Sequence, residues 1–287
     1  MIKSMTGFGK ASAGLKTKKI RVEIRSLNSK QLDLNLRLSG YYREKENEIR
    51  QEISKAAERG KIDFSIYSEQ NSQAPSATIN KKLARAYHKE LHSLAKELKA
   101  DDEDILSLVL KMPDVFKSEK EELSEKEWRI VKQCISKALK DFSKFRTDEG
   151  KMLGKELTKR IASITHLLNE IIALDQKRIP SVRERLRKGT EELKDKIDQN
   201  RFEQELIYYI EKLDITEEKV RLKTHCDYFL KTMEEDSSGR KLGFITQEIG
   251  REINTIGSKA NDAAIQKLVV QMKDELEKAK EQINNVL

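Results

Sequence analysis

Hydrophobic and polar positions alternate with a period of two in three stretches, all within the first 70 residues. At 19–25, Ile20, Val22 and Ile24 interleave with Lys19, Arg21, Glu23 and Arg25. At 32–38, Leu32, Leu34, Leu36 and Leu38 alternate with Asp33, Asn35 and Arg37; at 62–67, Ile62, Phe64 and Ile66 alternate with Asp63, Ser65 and Tyr67. Each pattern predicts a half-buried strand with one wet face. The turn-capable Leu27-Asn28-Ser29-Lys30 predicts an antiparallel hairpin between the first two. Residues 41–59 read as a helix stopped by Gly60, and 5–8 as a further short strand. Asn71 to Ser76 is the clearest linker.

After that linker the period changes to helical. Trp128, Val131, Ile135, Ala138, Phe142 and Phe145 recur at spacings of three and four, as do Leu153, Leu157, Ile161, Ile164, Leu168 and Ile171. The last series is Ile265, Leu268, Met272, Leu276, Ala279, Ile283 and Val286. These are narrow, coiled-coil-like seams, suited either to a homo-oligomer or to an antiparallel bundle within one chain. The expected fold is therefore α+β: a small antiparallel sheet with a helix at the N-terminus (1–70), a long helical middle region (71–200) and a C-terminal helical domain (201–287).

Composition narrows the classes. Charged residues make up 37% of the 287 and hydrophobic residues another 37%, while only 12 Gly and 3 Pro are present, too few for a barrel or sandwich with many tight turns. No run approaches the ~20 apolar residues of a membrane span. The first residues lack an apolar signal core, so a cytoplasmic protein is expected. Cys134 and Cys226 fall on separate predicted helices, as in a reducing compartment. The net charge of +8 divides into +6 over residues 1–70, +4 over 71–213 and −2 over 214–287. A basic front suits a polyanion and an acidic rear suits cations.

Several motifs fail. Gly7-Phe8-Gly9-Lys10 lacks the first Gly and the trailing Ser/Thr of a phosphate loop, and no zinc, zincin or serine-hydrolase pattern occurs. His88 and His92 stand at i, i+4 without matching carboxylates and read as solvated. The C-terminal third differs. Glu218 and His225 share one helix face, Glu248 and Glu252 follow at i, i+4 on the next helix, and Arg251 and Asn254 line a neighbouring face. Two helices offering carboxylates one turn apart are how bundles hold Mg²⁺ or Mn²⁺, the latter accepting an imidazole. Glu217–Arg221 fits an ordinary surface pair. Glu248, Glu252 and His225 do not, since their i+4 partners are Glu252, Ile256 and Phe229. On the basic front, Arg21, Arg25 and Arg37 face water from the sheet, with Asn28 and Lys30 at the turn. Lys177, Arg178, Arg183, Arg185, Arg187 and Lys188 form a second basic stretch around Pro180.

The chain resembles the YicC/YloC family of bacterial endoribonucleases. The likeness is carried by Ser4-Met5-Thr6-Gly7-Phe8-Gly9, by 22–30 with Leu32-Asp33-Leu34, by Arg59-Gly60-Lys61 and by Arg146 with Glu149-Gly150. It continues through 201–205, Asp214 to Glu218, His225, Gly239 to Leu242, Phe244, Gln247-Glu248, Arg251-Glu252, Asn254-Thr255 and Ser258-Lys259. Gly243 and Gly250 depart from it, standing where family members often carry Asp and Asn. The resemblance implies a metal-dependent endoribonuclease acting on single-stranded RNA, a homohexamer closing like a clamshell, linked to turnover of small regulatory RNA. On that basis Glu218, His225, Glu248 and Glu252 are the expected ligands of Mn²⁺ or Mg²⁺. His225 is either a ligand or a general acid–base. Arg251 or Lys259 is expected to stabilise charge on the phosphorane. Arg21, Arg25, Asn28, Lys30, Arg37, Asn254 and Lys259 are the expected RNA contacts. The competing classes are a non-catalytic oligomeric RNA-binding or scaffold protein and a coiled-coil structural protein.

Overall fold

A computed structural model describes all residues except 1, 16–17, 30, 58, 71–77, 99–103, 118–122 and 192–198. The linker expected at 71–76 and Lys30 therefore lie outside the described residues. Four strands form one sheet: β1 (Gly7–Gly14), β2 (Lys18–Leu27), β3 (Leu32–Leu38) and β4 (Gly60–Gln70), in the order β1-β2-β4-β3. The fold is α+β as expected, but the sheet is mixed and the hairpin does not form. β2 pairs antiparallel with β1 and β4, whereas β3 pairs parallel with β4. The reason lies in burial and connectivity. Ile62, Phe64 and Ile66 are essentially buried, so β4 takes a central position, while the half-exposed leucines of β3 suit an edge. A 3₁₀ turn (Gly40–Lys45) and helix α1 (Glu46–Ala56) then carry the chain across, and such a crossover makes the pair parallel. The first strand is also longer than expected and begins later.

A two-residue pair, β5 (Thr78–Ile79) with β6 (Phe116–Lys117), flanks helices α2 (Lys81–Leu98) and α3 (Ile105–Lys111). It is too short for an alternation signal. Next comes α4 (Glu125–Glu191), 67 residues, roughly 100 Å at 1.5 Å per residue. It is followed by α5 (Gln199–Leu213), α6 (Thr216–Thr232), α7 (Gly239–Ala260) and α8 (Ala263–Ile283). Among the described residues no helix is long and apolar enough to cross a membrane.

Helix α4 serves two cores. Trp128, Val131, Ile135, Ala138 and Phe142 pack with Ile20, Val22, Ile24, Ile49, Ile53 and Phe64 under the sheet. Leu153, Leu157, Ile161, Ile164, Leu168 and Ile171 join α6, α7 and α8 in a second core. The seams are thus filled within one chain. Phe145 is the exception, 45% exposed, because the seam changes partner there. The contact with β1 is close: a Cβ on Gly9 would lie 2.1 Å from the Ala138 carbonyl oxygen, and one on Gly7 2.5 Å from the Phe142 ring. Gly7-Phe8-Gly9 is a packing motif.

The segment before β1 ties the two cores together. Arg146 Nε donates to Ser4 O at 2.6 Å, Ser4 N to Arg146 O at 3.0 Å, and Thr6 Oγ1 to Glu149 Oε2 at 2.6 Å. The chain end lies alongside. Met5 N donates to Asn285 O, Leu287 N to Lys3 O, Gly239 N to Leu287 O and Arg59 Nη2 to Val286 O.

Gly9→Ala should cost about 1–3 kcal/mol, because a backbone carbonyl cannot yield as a side chain can. Gly14→Ala, with nothing within 4 Å of its Cβ, should change stability by less than about 0.5 kcal/mol. Urea denaturation followed by circular dichroism checks both; equal midpoints would contradict the close contact.

Candidate active site

Helices α6 and α7 are joined by a short turn and run antiparallel. Lys259 Nζ meets Glu218 Oε1 at 2.7 Å and fixes their register. His225 lies seven residues after Glu218 and Glu252 seven before Lys259, about two turns each, so the two stand level across the seam. Leu222, Cys226 and Phe229 from α6 and Ile249, Ile253 and Ile256 from α7 fill the core beneath. Burial pushes the Cys226 thiol up to about 12, so it is a packing residue rather than a nucleophile or ligand at neutral pH.

The expected ligand set is only partly assembled. Among the described residues, no three His, Cys, Asp or Glu side chains come together to hold an ion. Two of the four are engaged by cations: Glu218 by Lys259, and Glu248 by Arg251 Nη1 at 3.0 Å. Lys259, expected as an RNA contact, is thus engaged by Glu218 while still partly exposed, and Arg251 is held by its own helix while remaining solvent-exposed. What stays open is Glu252, only 8% exposed and with no hydrogen-bond or ion-pair partner, and half-buried His225, likewise unpartnered. Glu218 Oε2 is also buried without a partner. Of the two carboxylates, only Glu218 has an oxygen that is both fully buried and unpaired among the described residues, while the largely covered Glu252 keeps its carboxylate in contact with solvent; an unpaired buried oxygen is costly unless water or an ion meets it. In kind, a carboxylate with an imidazole suits Mn²⁺, while Mg²⁺ would take the carboxylate alone. In number they leave coordination positions for water, for an RNA phosphate or for another copy of the chain.

The surrounding residues hold the seam. Asp214 Oδ1 accepts from Thr216 N at 2.9 Å and Thr216 Oγ1 at 2.6 Å, and these bonds hold its carboxyl below the usual range despite some burial. Arg178 is buried and donates to Ala260 O and Leu213 O, with Asp175 beside it bridging to Lys219 at 2.6 Å. Arg178, read as part of a basic stretch, is thus a joint for the ends of α5 and α7. Glu217–Arg221 is the surface pair expected, and Glu203, Glu205 and Asn254 are exposed.

The basic front is a separate surface on the open face of the sheet. Arg21, Glu23, Arg37, Arg43, Tyr67 and Glu69 line a cleft of about 850 Å³. Arg21 stands opposite Tyr67 in the β2–β4 register, and the Arg25 guanidinium lies 5.4 Å from the centre of the Phe8 ring. Acidic neighbours temper this face, since Glu23 takes both Lys10 and Arg25. Asn28, expected as an RNA contact, is exposed and its Nδ2 donates to the Asn284 carbonyl, tying down the C-terminal residues. Exposed Tyr67 and Phe8, and Arg43, escape a sequence reading because aromatics are only 6% of the chain and alternation gives no sign of which strands adjoin.

A helical bundle with acidic and imidazole side chains on one seam, joined to a small basic sheet, is the frame these residues define. Residues 2–155 match the family described as "Endoribonuclease YicC-like, N-terminal region" and residues 171–287 match "Endoribonuclease YicC-like, C-terminal". The chain belongs to the YicC-like endoribonuclease family. It is similar to the "Probable endoribonuclease YicC" of Clostridioides difficile (strain 630), 34% identical over 99% of each chain. It also resembles the protein of that name from Haemophilus influenzae, 31% identical over all of both.

Asp214→Ala should destabilise the protein by about 1 kcal/mol at neutral pH through loss of the bonds that start α6. The folded pKa is lowered, so this contribution is complete above the unfolded carboxyl value near 4 and fades as pH falls through the folded value. Thermal unfolding of both proteins across that range checks it; a difference that grows in acid would contradict the assignment.

Proposed function

We propose that the protein is an endoribonuclease that cuts single-stranded RNA at the α6–α7 seam with a divalent cation, Mn²⁺ or Mg²⁺. The observation that carries this is Glu252, a largely covered residue whose carboxylate has no ion pair or hydrogen bond, on the seam it shares with unpartnered His225, in a chain whose relatives bear endoribonuclease names. Glu252 and His225 would hold the cation. When bound it supplies a positive charge that polarises a phosphate and acidifies water. His225 outside that role would take or return a proton at the reacting oxygens. Arg251, exposed at the rim and released from Glu248, would steady negative charge on the phosphate. Glu218 holds Lys259, and so the register of the two helices; Glu248 holds Arg251 until substrate arrives.

Arg21, Arg25 and Arg37 on the open sheet would attract the RNA backbone with little sequence preference, Tyr67 and Phe8 offering stacking faces. A homohexamer fits the exposed Leu98, Leu106 and Leu108 of the α2–α3 arm, which this chain leaves uncovered, and would bring further donors to the seam. Turnover of small regulatory RNA in the cytoplasm is the matching physiological role.

The test is cleavage of an end-labelled single-stranded oligoribonucleotide with added Mn²⁺ and with chelator. Cleavage should require the metal. Glu252→Gln should lower kcat by at least about 100-fold while leaving RNA affinity and the unfolding temperature near those of the parent. Glu218→Gln should chiefly lower stability. Metal-independent cleavage, or an active Glu252→Gln enzyme, would refute the assignment. RNA binding without any cutting would favour the scaffold alternative, for which the engagement of Glu218 and Glu248 in ion pairs already speaks.

A further inference from the structure

Helix α2 carries a one-sided charge that neither the seam nor the sheet uses. Its five Lys/Arg are Lys81, Lys82, Arg85, Lys89 and Lys96. At ~100° per residue they fall, with His88 and His92, inside an arc of about 120°. Glu90 and Glu97 lie outside that arc, and Leu83, Tyr87 and Leu91 occupy the opposite side. All seven basic-arc residues are exposed. Among the described residues none of the five cations makes an ion pair or hydrogen bond. Some exposed cations elsewhere are neutralised, Arg50 by Glu46, Lys132 by Glu48 and Arg221 by Glu217, and others are not; what sets α2 apart is that its unpaired cations share one face of one helix. On the apolar side Leu83, Tyr87 and Leu91 are half-buried while Leu94 and Leu98 are exposed; the helix packs on α3, whose Ile105 and Val109 are buried, and neither core includes a residue of α2.

We infer that the basic face of α2 is a second nucleic-acid contact, an arm that grips the phosphate backbone of the RNA away from both the seam and the sheet. This rests on the proposed RNA substrate. Charge complementarity names the occupant. Five unneutralised cations spaced along about 22 Å of helix match a chain with one negative charge per nucleotide. An anionic membrane surface is the less suitable match, because a helix lying in a lipid interface buries its whole apolar face there, and here Leu83, Tyr87 and Leu91 of that face are already half-buried within the protein.

The experiment measures binding of a fluorescein-labelled oligouridylate by anisotropy, in chelator so that nothing is cut, between 50 and 200 mM salt. The proteins are the parent, the α2 variant K81Q/R85Q/K89Q/K96Q and an equal-charge control, K155Q/K159Q/K267Q/K273Q, on exposed positions of α4 and α8. The α2 variant should bind at least about tenfold more weakly, with the slope of log K against log salt reduced by about 3, four contacts at about 0.7 each. The control should move far less. A milder pair, K81Q/K89Q, should give about half the change in slope and serves if the fourfold variant loses helicity. If the parent binds and the α2 variant matches the control, the arm proposal is overturned while the RNA substrate stands. If the parent binds no RNA, both fall. Loss of binding to phosphatidylserine vesicles with RNA binding retained would overturn the arm in favour of a membrane contact.

Discussion

Everything in the molecule is positioned by the contact of one long helix with two different cores. The N-terminal part of α4 presents small and aromatic residues to β1, where the missing side chains of Gly7 and Gly9 let strand and helix approach to backbone distance. Two turns after Phe145 the same helix presents branched aliphatics to α6, α7 and α8. Continuous backbone hydrogen bonding along α4 transmits orientation between the cores, and the segment at 2–6 adds a lateral tie through Arg146 and Glu149. The seam between α6 and α7 inherits its register from this arrangement, with Arg178 fastening the ends of α5 and α7 to α4.

Electrostatics within the seam select among residues that look alike in sequence. Four candidate ligands differ in what faces them. Lys259 reaches Glu218 across the interface, Arg251 reaches Glu248 along the helix, and Glu252 and His225 receive nothing. A carboxylate already held by a lysine or arginine must break that pair before it can bind a cation, and Glu252 has no such pair to break. The asymmetry is the physical basis for placing chemistry at Glu252 rather than distributing it over the acidic strip.

Much of the architecture was legible because burial imposes period. Ile20, Val22 and Ile24 and the seam from Leu153 to Ile171 are buried as their spacing required. The hairpin was not legible: alternation tells which face of β2 and β3 is buried, not which strand lies between them, and that is settled by the burial of β4 and the crossover through α1. The family resemblance is confirmed over the whole chain, yet many residues that carry it are structural. Ser4, Thr6, Gly7, Gly9, Asn28, Arg59, Arg146, Glu149 and Asp214 make bonds or close contacts that hold segments together. A resemblance weights all its positions alike; geometry separates those that make the frame from those the frame leaves open. Which carboxylates are neutralised depends on long side chains crossing between helices, as Lys259 does, and spacing along one helix carries no trace of that.

The central claim is that Glu252 and His225 share a cation. Anomalous diffraction from crystals soaked in Mn²⁺ measures this directly. The account predicts a peak between the Glu252 carboxylate and the His225 ring, absent from crystals of the Glu252→Gln variant. Fully bound Mn²⁺ elsewhere, with the seam empty or closed by a lysine, would contradict it.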